Sequence, residues 1–319
     1  MKITFIRPNM YDDRSSDAME PLCFAILKSL TPSDIDVSLI DERLEDIPPD
    51  LSTDLIAMTV ETYTARRAYE IADDFRRQGI PVVMGGYHPT FLPDEALDHA
   101  DAVVKGDAEG VWEQVIEDAR EGALSPVYES AEFPSLENCM PDRSIFAGKN
   151  YGPMGLVQFS RGCRFNCSFC SIRAFYGNNL RQRPVEDVVE DIRRSGRRHI
   201  FLVDDNLFVD VETTRALFEA LVPLNISWSC QVSIDIARDP DLVQLMRRSG
   251  CISALIGFES LDIDSLRELK KHWNTKWQSY DDAIRIFRNA GIMLYGTFVF
   301  GCDNDTVSSF DRSVEFALR

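Results

Sequence analysis

The chain has 319 residues, of which 45% are hydrophobic and 27% are charged, a composition typical of globular domains. No stretch approaches the roughly 20 apolar residues that cross a bilayer, and the amino terminus lacks the apolar core of a secretion signal, so we expect a cytoplasmic protein that is not transmembrane. Its 34 basic and 52 acidic residues leave a net charge of −18, which repels phosphate backbones and argues against nucleic acid as a partner.

The first half of the chain alternates short apolar strands with helices. We predict strands over residues 2–6, 37–40, 55–60, 81–84 and 102–104, and helices over residues 21–30, 65–78 and 111–119. Continuous apolar strands separated by helices indicate a parallel sheet that is covered on both faces. The pattern therefore predicts a doubly wound α/β domain over residues 1–130, with its ligand beyond the carboxyl ends of the strands.

Residues 131–155 are predicted to form a linker, because the periodicity is lost there and prolines recur. A second β/α series occupies residues 156–319. Its predicted strands are 156–160, 199–203, 226–234, 253–258 and 292–300, and its predicted helices are 185–195, 213–221, 240–249, 279–289 and 306–319. This series, with no strand after its last helix, indicates a partial βα barrel.

Three of the eight cysteines lie within eight residues, on a loop directly after the first strand of the second series. Cys163, Cys167 and Cys170 have the spacing C-x3-C-x2-C. Three thiolates suit a cubane iron–sulfur cluster that leaves one iron open to a chelating ligand. Structural zinc prefers four ligands, and no fourth Cys or His lies nearby in sequence, although the fold can still supply one. The spacing favours a metal site over disulfides and leaves zinc as the alternative.

The sequence around these cysteines resembles the signature of the radical S-adenosylmethionine superfamily, which has this spacing and an aromatic residue just before the third cysteine. Phe169 occupies that place. The resemblance implies that the cysteines hold a 4Fe–4S cluster and that S-adenosylmethionine chelates its open iron. An electron from the cluster then cleaves the sulfonium and releases a 5′-deoxyadenosyl radical. The cofactors carry this chemistry, and we assign no catalytic side chain beyond the cluster.

Three further segments extend the resemblance, and each ends a predicted strand, where βα barrels place their sites. Residues 204–206, 257–260 and 296–301 are similar to the ends of the family's second, fourth and fifth strands. Glu259 can accept two hydrogen bonds from ribose hydroxyls, and Asp204 or Asp205 can accept one from the ligand's ammonium group. An acidic residue in such a place can instead be the N-cap of the next helix. The residues predicted to bind S-adenosylmethionine are Phe169, Asp204, Asp205, Asn206, Gln231, Ser233 and Glu259.

The first domain resembles the cobalamin-binding module that precedes the radical domain in one large subgroup. The resemblance depends on a glycine pair after the fourth strand and on Gly106 after the fifth, where glycine lets the backbone approach a bulky ligand closely. The residues predicted to bind cobalamin are Pro8, Asn9, Thr62, Gly85, Gly86, Tyr87 and Gly106. The loop after the first strand lacks the Asp-x-His-x-x-Gly motif of the methionine-synthase type, so we expect no histidine from it on cobalt. A relic domain without cobalamin is the alternative.

The resemblance implies an enzyme, with cobalamin-assisted methyl transfer to an unactivated carbon as the leading function. A radical cyclisation, oxidation or rearrangement without methyl transfer is the second hypothesis, and a non-catalytic metal-binding or regulatory protein is the third. We expect a small-molecule or lipid-like substrate, which the sequence does not identify, and a low-potential electron donor such as flavodoxin or ferredoxin. The family's barrel usually has a sixth strand, so we expect this barrel to be truncated at its carboxyl end.

Overall fold

The computed structural model describes residues 1–10, 14–137, 139–277 and 280–318. The chain divides into two compact units, Met1–Pro153 and Met154–Arg319. Each unit is built on a parallel sheet, which confirms the predicted α/β fold class. None of the described helices is both long enough and apolar enough to span a membrane.

The first unit has a six-stranded parallel sheet in the order β2-β1-β3-β4-β5-β6. Its strands are β1 Lys2–Arg7, β2 Asp36–Asp41, β3 Leu55–Thr59, β4 Val82–Gly85, β5 Ala102–Lys105 and β6 Val127–Glu129. Its helices are α1 Leu22–Leu30, α2 Ala65–Arg77, α3 Tyr87–Phe91, α4 Pro93–Leu97 and α5 Trp112–Glu121. The sequence predicts the first five strands but not β6, a three-residue strand in which only Tyr128 is buried.

Both faces of this sheet are covered, which explains the continuous apolar strands. In β1, Phe5 packs into the hydrophobic cluster on one face and Ile6 into the cluster on the other. The predicted linker contributes to the first of these clusters through Ile145, Phe146 and Tyr151. Most of the predicted linker therefore lies within the first unit, because its irregular backbone carries large apolar side chains that dock on the sheet.

The second unit has a five-stranded parallel sheet in the order β13-β12-β11-β10-β7 and a two-stranded antiparallel ribbon, β8-β9. Its strands are β7 Met154–Val157, β8 Ser160–Arg161, β9 Arg181–Gln182, β10 His199–Leu202, β11 Ser227–Gln231, β12 Cys251–Glu259 and β13 Met293–Phe298. Its helices are α6 Ser171–Tyr176, α7 Val185–Ser195, α8 Val211–Leu221, α9 Pro240–Arg248, α10 Ile263–Glu268, α11 Tyr280–Ala290 and α12 Val307–Ala317.

The order of the second sheet positions the candidate site. Successive strands pair in parallel, so their carboxyl ends share one edge of the sheet, and the loops that follow them meet there. The cysteine loop occupies residues 162–170, between β8 and α6. At the far side of the sheet β13 pairs, within the described ranges, with β12 alone.

Candidate functional site

The cysteine loop and the carboxyl ends of the second sheet surround a cavity of about 140 Å³. All the residues predicted to bind the cluster or S-adenosylmethionine line this cavity except Asp204. The lining residues among them are Cys163, Cys167, Phe169, Cys170, Asp205, Asn206, Gln231, Ser233 and Glu259. The parallel register therefore brings together side chains that are up to 96 positions apart in the sequence, from Cys163 to Glu259.

The three cysteines satisfy the placement that an iron–sulfur cluster needs, because all three line one cavity. Among the residues that the structure describes, no three or more His, Cys, Asp or Glu side chains are placed to hold a single metal ion. A zinc site needs that convergence on one ion. A cubane binds each thiolate through a different iron, so its ligands need only line one cavity. The half-buried Cys163, Cys167 and Cys170 meet that weaker requirement.

Cluster loading has to displace protons from buried thiols. Burial raises the pKa of the Cys163 thiol and raises that of Cys167 to about 11, although the positive charge of Lys271 acts against the second shift. Asn206 donates from Nδ2 to the Cys163 sulfur at 3.8 Å, and its Oδ1 accepts the Ser233 backbone N–H at 3.0 Å. This amide therefore ties Cys163, which is predicted to bind the cluster, to the turn after β11.

Asp204 has a different environment from the other candidates. It is 3% exposed, and its carboxylate accepts hydrogen bonds from the backbone N–H of Phe159 at 3.2 Å, from the Ser160 hydroxyl at 2.6 Å and from the Ser160 backbone N–H. Asp205 accepts the Gly162 backbone N–H at 2.8 Å. The Asp204 carboxylate therefore holds the start of β8, just before the cysteine loop, whereas Asp205 binds the first residue of that loop. Only Asp205 also lines the cavity, so of the two it is the better match for the ligand's predicted ammonium contact.

Replacement of Asp204 by asparagine should change the pH dependence of stability. Burial raises the pKa of Asp204 to about 7, above the value of about 4 in an unfolded chain. The folded state then binds a proton that the unfolded state releases, so the free energy of unfolding should fall as pH rises from 4 to 7, by at most about 1.4 kcal/mol per pH unit. Asp204→Asn should flatten that slope in urea unfolding measured across this range.

Asp210→Asn is the matched control, because Asp210 caps α8 and hydrogen bonding lowers its pKa, which leaves no titration in the same range. Equal slopes for wild type and the Asp204 variant would show that Asp204 does not titrate as described.

Glu259 ends β12 in an unusual conformation. Its φ is +64°, in the left-handed region that non-glycine residues rarely occupy, and its side chain is buried. Asn274 donates to the carbonyls of Gly257 at 3.2 Å and Phe258 at 3.1 Å, and the Tyr280 hydroxyl lies 3.2 Å from the Phe258 carbonyl. These contacts hold the end of β12 in place. Backbone strain such as the left-handed φ of Glu259 is more common at functional sites than elsewhere.

Lys271 and Trp273 also line this cavity, although neither was among the residues predicted to bind a ligand. Lys271 is 7% exposed and pairs with Glu259, and Trp273 stacks on Phe165 of the cysteine loop, with ring centroids 3.5 Å apart. The buried Trp273 indole N–H and Ser233 hydroxyl have no hydrogen-bond partner within the described residues. A buried donor left unpaired costs about 1–3 kcal/mol, so this cavity suits a ligand with acceptor atoms.

The glycines predicted to bind cobalamin lie at the carboxyl edge of the first sheet. Gly86 has φ +102°, and a Cβ there would lie 2.9 Å from the Val60 carbonyl oxygen. Contact with the chain after β3 therefore requires glycine at this position, whatever binds there. Gly106 has φ +74° and no atom within 4 Å of a Cβ. The Thr90 hydroxyl joins the two loops, because it donates to the Gly86 carbonyl at 2.7 Å and accepts the Gly106 N–H at 3.1 Å.

The other predicted cobalamin residues follow strands at the same edge. Pro8 and Asn9 follow β1, and the Asn9 backbone N–H donates to the Glu42 carboxylate at 3.2 Å. Thr62 begins a 3-10 turn after β3, and Tyr87 begins α3 after the glycine pair. Part of the loop after β1, residues 11–13, lies outside the described residues.

His88 stabilises the turn after β4. It is buried, and its Nε2 lies 2.9 Å from the Tyr69 hydroxyl while its backbone N–H donates to the Val60 carbonyl at 3.1 Å.

Two family models match the chain. Residues 157–317 match the Radical SAM superfamily, and residues 29–116 match the B12 binding domain. The bacteriochlorophyllide d C-12(1)-methyltransferase of Chlorobaculum tepidum is 32% identical over 94% of this chain and 68% of its own length. The bacteriochlorophyllide d C-8(2)-methyltransferase of the same organism is 32% identical over 97% of this chain and 73% of its own length.

A solved structure shows the same fold. The radical S-adenosylmethionine methyltransferase TsrM from Kitasatospora setae, with cobalamin and a 4Fe–4S cluster bound, superposes with a TM-score of 0.81 over 99% of this chain and 72% of its own, at 16% sequence identity. The family match, the relatives and the three cysteines on one cavity agree. The chain therefore belongs to the radical S-adenosylmethionine superfamily, with an amino-terminal B12-binding domain, and is an enzyme whose cofactors are a 4Fe–4S cluster, S-adenosylmethionine and cobalamin.

Proposed function

We propose that this enzyme transfers a methyl group from S-adenosylmethionine to an unactivated carbon of its substrate, in a reaction assisted by cobalamin. The carrying observation is the joint lining of one cavity by Cys163, Cys167, Cys170 and Glu259, in a chain that also has a B12-binding domain. When bound, the cluster would supply the electron for cleavage of the sulfonium, and cobalamin would supply a carrier for the methyl group.

The proposal gives each candidate residue one task. Cys163, Cys167 and Cys170 hold the cluster, and Asp204 holds β8, the strand that leads into their loop. Six residues that line the cavity bind S-adenosylmethionine: Phe169, Asp205, Asn206, Gln231, Ser233 and Glu259. Seven residues at the edge of the first sheet bind cobalamin: Pro8, Asn9, Thr62, Gly85, Gly86, Tyr87 and Gly106.

Within the S-adenosylmethionine set, Glu259 accepts the ribose hydroxyls, because a carboxylate has lone pairs enough for two donors. Asp205 accepts the ammonium group. The Ser233 hydroxyl, together with the Trp273 indole N–H, supplies donors for the ligand's carboxylate or adenine. The stacked rings of Phe165 and Trp273 close one wall of the cavity and keep water out of the space where the radical forms.

A chlorin-type macrocycle is the first substrate to test, because two relatives at 32% identity are named for methyl transfer to bacteriochlorophyllide. The proposal also includes a low-potential electron donor such as flavodoxin or ferredoxin, which the reduction of the cluster requires. A cytoplasmic location belongs to it as well, because the three thiols must stay reduced until the cluster forms.

Product mass tests the reaction type. The reconstituted enzyme is incubated anaerobically with reductant, hydroxocobalamin, methyl-deuterated S-adenosylmethionine and a panel of chlorins. Methyl transfer predicts a product that contains the deuterated methyl group. Cyclases are also among the relatives, and a cyclisation or oxidation predicts a product of altered mass without that label.

Cobalamin binding to the first unit is expected to be sensitive to a side chain at Gly106. Gly106→Phe places a ring in open space at the carboxyl edge of the sheet and should weaken binding at least about tenfold, the factor that corresponds to 1.4 kcal/mol. Spectral titration of the anaerobic protein with hydroxocobalamin measures this.

Gly122→Phe is the matched control, because Gly122 also has a left-handed φ and open space but lies at the end of α5. Equal binding by the two variants would remove Gly106 from the cobalamin site. No saturable binding by the wild type would favour a relic domain.

A further inference from the structure

Lys271 and Glu259 form a buried ion pair on the wall of the cluster cavity. Lys271 Nζ donates to Glu259 Oε1, and also to the Gly257 carbonyl at 2.7 Å. Each residue is 7% exposed. Because desolvation of two charges offsets most of their attraction, a pair of this kind is weak evidence for a role in stability. Its place beside the cluster cysteines points instead to a role in the site.

The segment that carries Lys271 is fastened to both sides of the cavity. We call residues 268–274 the strap. The strap accepts hydrogen bonds from Ser168 of the cysteine loop, through the Leu269 carbonyl at 3.1 Å and the Glu268 carbonyl at 3.1 Å. At its other end, Asn274 binds the carbonyls of Gly257 and Phe258 in β12. The strap therefore fixes the position of the Lys271 backbone relative to both the cysteine loop and Glu259.

The ammonium group of Lys271 is held by contacts within the protein. It has three N–H donors. Glu259 and Gly257 accept two of them, and Nζ also lies 5.8 Å from the centre of the Trp273 ring, within the range of a cation–π contact. Although Lys271 lines the cavity, these contacts direct its ammonium group at Glu259 and the end of β12, so its effect on a ligand should pass mainly through Glu259.

One oxygen of the Glu259 carboxylate is left for a ligand. Lys271 binds Oε1, and none of the described residues donates to Oε2. The ammonium group also compensates the negative charge of Glu259. Without it, that charge would be buried alone, which costs several kcal/mol. The pair therefore presents an oriented acceptor to the cavity.

We propose that Lys271 is a positioning residue for nucleoside recognition, which acts by orienting the Glu259 carboxylate toward the ribose hydroxyls of S-adenosylmethionine. This inference rests on the proposed function, because it takes Glu259 as the ribose contact. It predicts that the two side chains act as one unit in ligand binding, which a double-mutant cycle measures.

The cycle compares Lys271→Met, Glu259→Gln and the double variant with the wild type. Dissociation constants for S-adenosylmethionine are measured by anaerobic equilibrium dialysis on protein with equal iron and sulfide content. Lys271→Met should weaken binding about tenfold or more. The double variant should bind within about twofold of Glu259→Gln, because the lysine has no further effect once its partner is changed. Lys271→Arg, which keeps the charge, should restore part of the affinity.

Methionine is the control ligand, because it can chelate the open iron but has no nucleoside. Its effect on the electron paramagnetic resonance spectrum of the reduced cluster should saturate at the same concentration in wild type and Lys271→Met. Two results would overturn the proposal. One is a loss of S-adenosylmethionine affinity in the double variant equal to the product of the losses in the two single variants. The other is an equal weakening of methionine binding by Lys271→Met. If Lys271→Met assembles no cluster, Lys271→Gln replaces it in the cycle, with the same expected outcomes.

The two proposals fail in distinguishable ways. If the wild type binds and cleaves S-adenosylmethionine while the cycle is multiplicative, only the role of Lys271 is wrong. If the wild type cleaves none, the proposed function is wrong.

Discussion

Cys167→Ala is expected to abolish reductive cleavage of S-adenosylmethionine, with the formation of 5′-deoxyadenosine reduced more than about 100-fold. Loss of a residue that only hydrogen-bonds to a metal ligand lowers activity by up to about 100-fold, so loss of a ligand itself should lower it further. Cys167 lines the cavity with Cys163 and Cys170, and three thiolates are the minimum that a site-differentiated cubane requires from the protein. The variant should retain much less iron and sulfide after anaerobic reconstitution than the wild type.

Cys302→Ala is the matched control for this experiment. Cys302 is a buried cysteine in the same unit, and it does not belong to the lining of the cluster cavity. The control should reconstitute and cleave S-adenosylmethionine like the wild type. Full iron and sulfide in Cys167→Ala, or zinc in place of iron in the wild type, would contradict the cluster assignment.

Glu259→Gln is expected to keep the cluster and to weaken S-adenosylmethionine binding about 10- to 100-fold. A hydrogen bond to a charged acceptor contributes about 1.5–3 kcal/mol, and the neutral amide lacks that charge and has only one acceptor oxygen for Lys271 and the ribose to share. The change also leaves Lys271 buried without its counter-ion, so the variant should unfold at a lower urea concentration than the wild type.

Iron content and the dissociation constant have to be measured together on this variant. Glu212→Gln, an exposed glutamate in the first turn of α8, is the control and should change neither quantity. If Glu259→Gln binds S-adenosylmethionine as tightly as the wild type, the assignment of Glu259 to the nucleoside is wrong.

The fold was largely predictable, because its strands are short, apolar and separated by helices. Burial on both faces leaves such strands without polar alternation, and Phe5 and Ile6 in β1 show the cause directly. The sequence alone placed the cysteine loop after a strand because the spacing and its position are both local features. The position of the predicted linker was harder to predict, because the docking of Ile145 and Phe146 on the sheet has no signature in the local sequence.

The candidate site was predictable in outline but not in its individual contacts. The sequence placed Asp204 and Asp205 at a strand end. Only the structure shows that Asp204 is buried against the start of β8, whereas Asp205 binds the first residue of the cysteine loop and lines the cavity. Lys271 was missed because a lysine 12 positions after Glu259 is usually on the surface. Only the return of the strap to β12 buries it beside the carboxylate.

The two nucleoside products of a single anaerobic reaction test the central claim most directly. Radical cleavage of S-adenosylmethionine leaves 5′-deoxyadenosine and methionine, whereas donation of its methyl group leaves S-adenosylhomocysteine. The enzyme with its cluster and cobalamin, given reductant, S-adenosylmethionine and a methyl acceptor, is predicted to form both nucleosides in amounts that match the methylated product. Formation of 5′-deoxyadenosine without S-adenosylhomocysteine would contradict methyl transfer, and formation of neither would contradict radical catalysis by this chain.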